Sequence, residues 1–413
     1  MTTHQSERPR GNAAFPSLTK LLARAVVVIA VLVLAPTAHA VLTDGSGSVS
    51  DIPYSSKDGI RVPVLFSGPS SPPLQSNGNG LEFSMNSTGD SNADAGFQKA
   101  ADYWSSQFGD DITVNLTIGF SSLGGSILGS ASSTQATYSY GTFTAALAGD
   151  ATTADDNTAV TNLPAGASLD MYLNRTSNNP NGSGSATPYL DNDGDANNTT
   201  LRLTNANAKA LGLIAHNQTG QDAAITFNSD FSFDFDPSDG IDAGKIDFVG
   251  VAIHEIGHAM GFISGVDILD INSPPVNGPF ADNQFTFVSA LDLFRRSDAS
   301  DTAGADIDWT ADTRTKYFSI DGGNTKLVTN AFSTGVNFGD GRQASHWKDN
   351  LGLGIMDPTA APAGNAMVVT ALDLQAFDVI GWDPIVAEIP EPGALVMLAV
   401  VLVGLIGVRR RRR

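Results

Sequence analysis

Hydrophobic positions follow two periods through the middle of the chain. Phe97, Ala100, Ala101, Trp104 and Phe108 recur at spacings of three and four, which predicts an amphipathic helix. Ile112, Val114, Leu116 and Ile118 then alternate within 111–120, the period of a strand. Residues 121–198 are rich in Ser, Thr, Gly and Asn and predict short strands joined by long loops. A helix is expected over 204–214. Ala224-Ile225-Thr226-Phe227, with Phe231 and Phe233 beyond, reads as a strand whose edge can hydrogen-bond an extended peptide. Phe248, Val249, Val251, Ala252 and Ile253 lead apolar into a buried helix. Further on, 290–294 and 317–320 read as strands and 371–380 as a helix closed by Gly381. No repeat at a solenoid or propeller period is present.

Both ends carry a different pattern. Arg8, Arg10, Lys20 and Arg24 precede an apolar run from Ala25 to Ala35, and Ala38-His39-Ala40 offers a cleavage site, so 1–40 reads as an export signal. Residues 41–80 read as a flexible lead-in or a pro-segment, and 81–384 as the main domain. In the tail, 385–413, Pro390-Glu391-Pro392 precedes an apolar stretch from Ala394 to Val408 and five arginines, Arg409 to Arg413. Such a tail holds to an inner membrane with its positive end in the cytoplasm. Tripeptide, apolar helix and arginine cluster together resemble the PEP-CTERM sorting signal. That resemblance implies a Gram-negative source, an exosortase-type processing enzyme as partner, transient inner-membrane association, and a destination at the cell surface or matrix.

Composition narrows the class further. The formal charge of −20 argues against nucleic acid, whose phosphates require a basic surface. Cysteine is absent, so stability in an extracytoplasmic setting rests on packing and bound cations instead of disulfides.

The candidate chemistry is concentrated in His254-Glu255-Ile256-Gly257-His258. Residues i and i+4 share one helix face, so the two imidazoles can hold one zinc ion while Glu255 stands beside it as a general base. Desolvating these side chains without a partner costs several kcal/mol, and a metal is the natural partner. Catalytic zinc takes a third protein ligand. A later Glu is ruled out, because none follows Glu255 before Glu388, and the short H-E-x-x-H-x-x-G-x-x-H pattern has Ser264 at its last position. His346 and His216 remain as histidine candidates, with Asp267 as a carboxylate competitor.

H-E-I-G-H-A-M-G-F at 254–262, then Ser345-His346-Trp347 and Ile355-Met356-Asp357-Pro358, resemble the leishmanolysin-type branch of the metzincin proteases. The resemblance covers roughly a tenth of the chain. It implies an α/β (α+β) zincin domain with a mixed sheet, an active-site helix and a long insertion before the third ligand. It also implies His254, His258 and His346 as metal ligands, Glu255 as catalytic base, Gly261 as turn glycine and Met356 as the Met-turn residue. The implied activity is zinc-dependent hydrolysis of peptide bonds in a protein or peptide substrate. Two rival readings stay open: a surface or matrix protein with a structural metal site, and hydrolysis of an amide outside proteins. Calcium is a secondary cofactor expectation, resting on Asp191-Asn192-Asp193-Gly194-Asp195 and on the Asp234–Asp242 run, neither of which completes an EF-hand loop.

Overall fold

The computed structural model describes residues 80–123 and 127–385, with the backbone of four strands nearer the N-terminus: β1 (His39–Thr43), β2 (Tyr54–Lys57), β3 (Ile60–Pro63) and β4 (Leu74–Gln75). The expected export signal and sorting tail lie otherwise outside the described residues. None of the described helices is long and apolar enough to cross a membrane.

The alternating stretch forms β6 (Thr113–Ser121), which buries Val114, Leu116 and Ile118 on one face. It lies parallel to β5 (Glu82–Met85) on one side and to β12 (Ala223–Asn228) on the other. The antiparallel β7 (Ile127–Ser133) pairs with the far side of β12, and β1 pairs antiparallel with the far side of β7. The resulting mixed sheet runs β1-β7-β12-β6-β5-β4. The strand at Ala224–Phe227 therefore has both edges filled and offers none to a peptide, which corrects that expectation.

The apolar spacing of 97–108 forms α1 (Ser91–Gln107), capped by the Asp90 carboxylate on the amides of Asn92 and Ala93. Its buried face meets α6 (Phe248–Met260), and Phe97, Phe227 and Phe248 interlock with centroids 4.7–5.2 Å apart. Trp104 Nε1 donates to the Ile253 carbonyl at 3.0 Å, fastening α1 to the middle of α6. Two helices, α2 (Tyr140–Asp150) and α3 (Ala154–Asn162), occupy part of the polar stretch expected as strands and loops. They follow β8 (Gln135–Ser139), which pairs with β11 (Thr200–Thr204).

Between these lie β9 (Met171–Leu173), β10 (Tyr189–Asp191) and the short helix α4 (Ala196–Thr199). The helix expected over 204–214 is one and a half turns long, α5 (Asn205–Ala210), and Gly212 at φ 63° ends it. Two-residue strands β13 (Phe233–Asp234) and β14 (Ile246–Asp247) lead into α6, and α7 (Val266–Ile271) follows it.

The long insertion is mostly irregular but well buried. Its expected strand at 290–294 is a 3₁₀ turn, Leu291–Phe294, built around Asp292. That carboxylate takes hydrogen bonds from Ser264 Oγ, the amides of Gly265 and Ser289, and Trp309 Nε1, all at 2.5–3.0 Å. Satisfying a buried carboxylate this fully fixes the local turn more strongly than the apolar pattern favours a strand. The other expected strand survives as β17 (Tyr317–Phe318), paired with β15 (Arg295–Arg296). Within this region α8 (Asp298–Ala303) precedes β16 (Ile307–Asp308), which adds to β9. The closing helix is α9 (Ala371–Asp378), with a capping box between Thr370 and Asp373.

Candidate metal centre

Asp247 caps α6 by accepting from the Gly250 amide at 2.9 Å, and its second oxygen takes the Met367 amide at 3.0 Å. The helix ends at Gly261, whose φ of 119° reverses the chain in a left-handed turn that disfavours a side chain. That reversal returns the Phe262 carbonyl to His258 Nδ1 at 2.7 Å. His254 Nδ1 meets the Ile355 carbonyl at 2.7 Å, and His346 Nδ1 meets that of Gln343 at 3.3 Å.

A carbonyl only accepts, so each neutral imidazole carries its proton on Nδ1 and its lone pair on Nε2. His258 Nε2 stands 2.9 Å from His254 Nε2 and 3.2 Å from His346 Nε2. Three lone pairs thus face one another, which is repulsive unless a cation lies between them. Protons do not supply that charge near neutral pH. Burial depresses His254 to about 4, and burial with the neighbouring imidazoles holds His258 and His346 well below the usual histidine range. Tetrahedral nitrogen donors at ~2.1 Å from one ion lie about 3.4 Å apart, near the spacings seen. The donor set fits zinc, and among the described residues no fourth His, Asp or Glu joins the group.

The segment that presents His346 is held by two carboxylates: Asp267, which the sequence offered as a rival ligand, and Asp373, which it did not single out. Asp267 does not join the three histidines; its oxygens accept from the amides of Ala344 and Ser345 and from Ser345 Oγ at 2.5–3.1 Å. Burial pushes it up to about 7. Asp373 on α9 accepts from the Ile355 amide at 2.9 Å, the Met356 amide at 3.3 Å and Trp347 Nε1 at 2.8 Å. One side chain therefore links the turn at Met356 to the residue after His346. The capping box was a visible signal for Asp373; its remaining partners, distant in sequence, were not.

Met356 lies under α6, where a Cβ on Gly257 would sit 2.7 Å from its sulfur. Glu255 is wholly buried and faces β7, where a Cβ on Gly129 would meet its Oε1 at 3.3 Å. All three histidines are at most 1% exposed. Leu128, next to Gly129, opens onto a cleft of about 570 Å³ that also contains Arg342, Asp349, Thr359 and Pro362. Arg342 Nε pairs with Asp349 at 2.9 Å on its wall. His216 is exposed and lines a different cavity of about 440 Å³ that holds none of the three histidines.

Residues 388–413 match the PEP-CTERM protein-sorting motif. It is a sorting signal processed by an exosortase, and it implies export in a Gram-negative bacterium through a C-terminal tail. No curated protein and no solved structure matches the chain.

Proposed function

We propose that this chain is an exported zinc-dependent endopeptidase, with 81–384 as a metzincin-like catalytic domain. The observation that carries the reading is the convergence of three Nε2 lone pairs, each fixed by an Nδ1–carbonyl contact, with Glu255 on the helix that carries His254 and His258. Support also comes from Met356 beneath the helix and from the three-donor count, which leaves room for a non-protein ligand. The chemistry zinc supplies in such a cage is polarisation of a carbonyl and acidification of water. Glu255 takes a proton from the attacking water and returns it to the leaving amine. The cleft beside Leu128 receives a substrate side chain, with apolar Leu128 and Pro362 for its stem and the Arg342–Asp349 pair for a polar end. Sorting through the tail delivers the enzyme to the cell surface or matrix.

The near-complete burial of the site favours a second reading, a surface protein whose metal is structural. Glu255→Gln separates the two. Under the enzyme reading the variant retains stoichiometric zinc and loses casein cleavage by about 10²–10⁴-fold, and chelation of the wild type abolishes cleavage until zinc is restored. A wild-type chain that binds zinc but cleaves neither casein nor gelatin supports the structural site. Cleavage by Glu255→Gln at the wild-type rate rejects the assigned base.

A further inference from the structure

Arg295, the first residue of β15, is a cation sealed inside the insertion. It is 1% exposed, and among the described residues no Asp or Glu lies within ion-pairing distance of it. Taking a guanidinium out of water without a paired carboxylate is costly. Burial works against its charge, and the fields of Asp292, Asp308, Asp267 and Asp340 sustain it from a distance. Its plane rests over the Phe332 ring, 5.0 Å from the centroid, and its Nε has no hydrogen-bond partner.

The other two nitrogens reach the segment that carries His346. Nη2 donates to the Ser333 carbonyl at 2.7 Å, and Nη1 lies 3.5 Å from the Ala344 carbonyl. These two residues belong to antiparallel stretches, 331–335 and 342–348, joined by the Lys348 amide on the Ala331 carbonyl at 2.7 Å and the Gly335 amide on that of Arg342 at 2.9 Å. Between those bonds, the Ser333 amide donates to the His346 carbonyl at 3.1 Å, and Ser333 Oγ donates to the Trp347 carbonyl at 2.7 Å. One guanidinium thus touches both stretches next to the third imidazole. Ala344 is held at its amide by the Asp267 carboxylate, 2.6 Å away, and approached at its carbonyl by Arg295.

We propose that Arg295 is a positioning residue for the candidate metal centre: it locks the two stretches together through Ser333 and Ala344 and so fixes where His346 presents its Nε2. The inference rests on the metal reading of the three histidines and not on peptide cleavage. A planar fork suits this place, because its two terminal nitrogens can serve carbonyls on separate stretches at once. Lysine would bring the charge to one carbonyl without spanning to the other, and methionine would fill the space with no donor.

In the full chain, Arg295→Met should lower zinc affinity at least ~10-fold in competition with a chromophoric chelator, and Arg295→Lys should lower it by about 3-fold. Made in a His346→Ala background, either replacement should change affinity by less than about 2-fold, because Arg295 acts only through that imidazole. A merely structural role would weaken both backgrounds alike. Cobalt in place of zinc gives a second readout: the visible absorption of Arg295→Met should move toward that of His346→Ala, while Arg295→Lys stays near the wild type. Should Arg295→Met fail to fold, Arg295→Lys in the two backgrounds carries the test. The proposal is overturned if the folded variants bind zinc as the wild type does, or if they lose the same factor with and without His346. A wild type that binds no zinc, or a His346→Ala variant that binds it as tightly as the wild type, overturns the metal reading itself and this inference with it.

Discussion

At the scale of single residues, the three-histidine cluster depends on carboxylates that do not belong to it. Asp267 holds Ala344 and Ser345 by three hydrogen bonds, so its loss frees the segment that presents His346 while leaving His254 and His258 on their helix. Asp267→Ala should lower zinc affinity by about 10–100-fold in competition with a chromophoric chelator, and Asp267→Asn should recover part of that loss. Equal affinity in Asp267→Ala and wild type would show that His346 needs no such support. The contact between Gly257 and Met356 makes a separate prediction. A methyl group at Gly257 would stand 2.7 Å from the Met356 sulfur, and Gly257→Ala should cost about 1–3 kcal/mol in urea unfolding. Because the strain lies between two side chains, Met356→Ala should relieve it, and the double variant should be more stable than the sum of the singles. Strict additivity would place the strain elsewhere.

At the scale of elements, the strand that best suits a peptide partner is β7, and its outer edge is filled by β1, with Leu42 opposite Gly129 in register. Gly129 is the residue facing Glu255, so under the proposed protease reading β1 occupies the edge that an extended substrate would take. Cleavage after Ala40 would cut this five-residue strand after its second residue. Deleting residues 39–43 should therefore raise casein cleavage over the uncut chain and speed chelator access to zinc; no change in either would mean that β1 does not guard the edge. Sequence periodicity anticipated α1, β6, α6 and α9, because each buries a regular apolar face. It missed α2, whose Tyr140, Phe143 and Leu147 make a buried helical face inside a Thr- and Ala-rich stretch, and α3, which is polar and capped by Thr153. It also mistook the Asp292 turn for a strand, since hydrogen bonds from residues 264, 265 and 309 decide that conformation and no local pattern records them. The three imidazoles were legible because H-E-x-x-H fixes two of them and few histidines remained to supply the third. The route by which Asp267 and Asp373 position the third was hidden in contacts spanning 17–78 residues.

At the scale of the whole molecule, a net charge of −20 includes a group of carboxylates where α3, α9 and the segment after it meet. Asp378 shares this region with Asp155 and Asp156, while Asp110 and Asp150 lie near Asp383. Thr153 Oγ1 donates to Asp378 at 2.9 Å, Thr152 Oγ1 to Asp383 at 2.6 Å and Gln375 to Asp155 at 2.8 Å, but no Lys or Arg forms an ion pair with these carboxylates among the described residues. Burial first, and neighbouring carboxylates after it, raise Asp378 to about 8 and Asp110 and Asp150 to about 7 from an ordinary 3.8. The folded chain therefore keeps protons that the unfolded chain has already released, so folding is favoured below about pH 4 and loses that contribution as pH climbs through 7–8. Self-repulsion of the acidic chain acts in the same direction and is screened by salt, whereas the buried cluster is screened much less. With zinc saturating, Tm should fall from pH 5 to pH 8, and added salt should restore only part of the loss. Asp378→Asn removes the group with the highest value without adding charge, so it should raise Tm at pH 8 more than at pH 5. A Tm that rises over this range, or an Asp378→Asn profile parallel to the wild type, would mean that the carboxylates ionise freely in the folded state and that the cluster does not set the pH response.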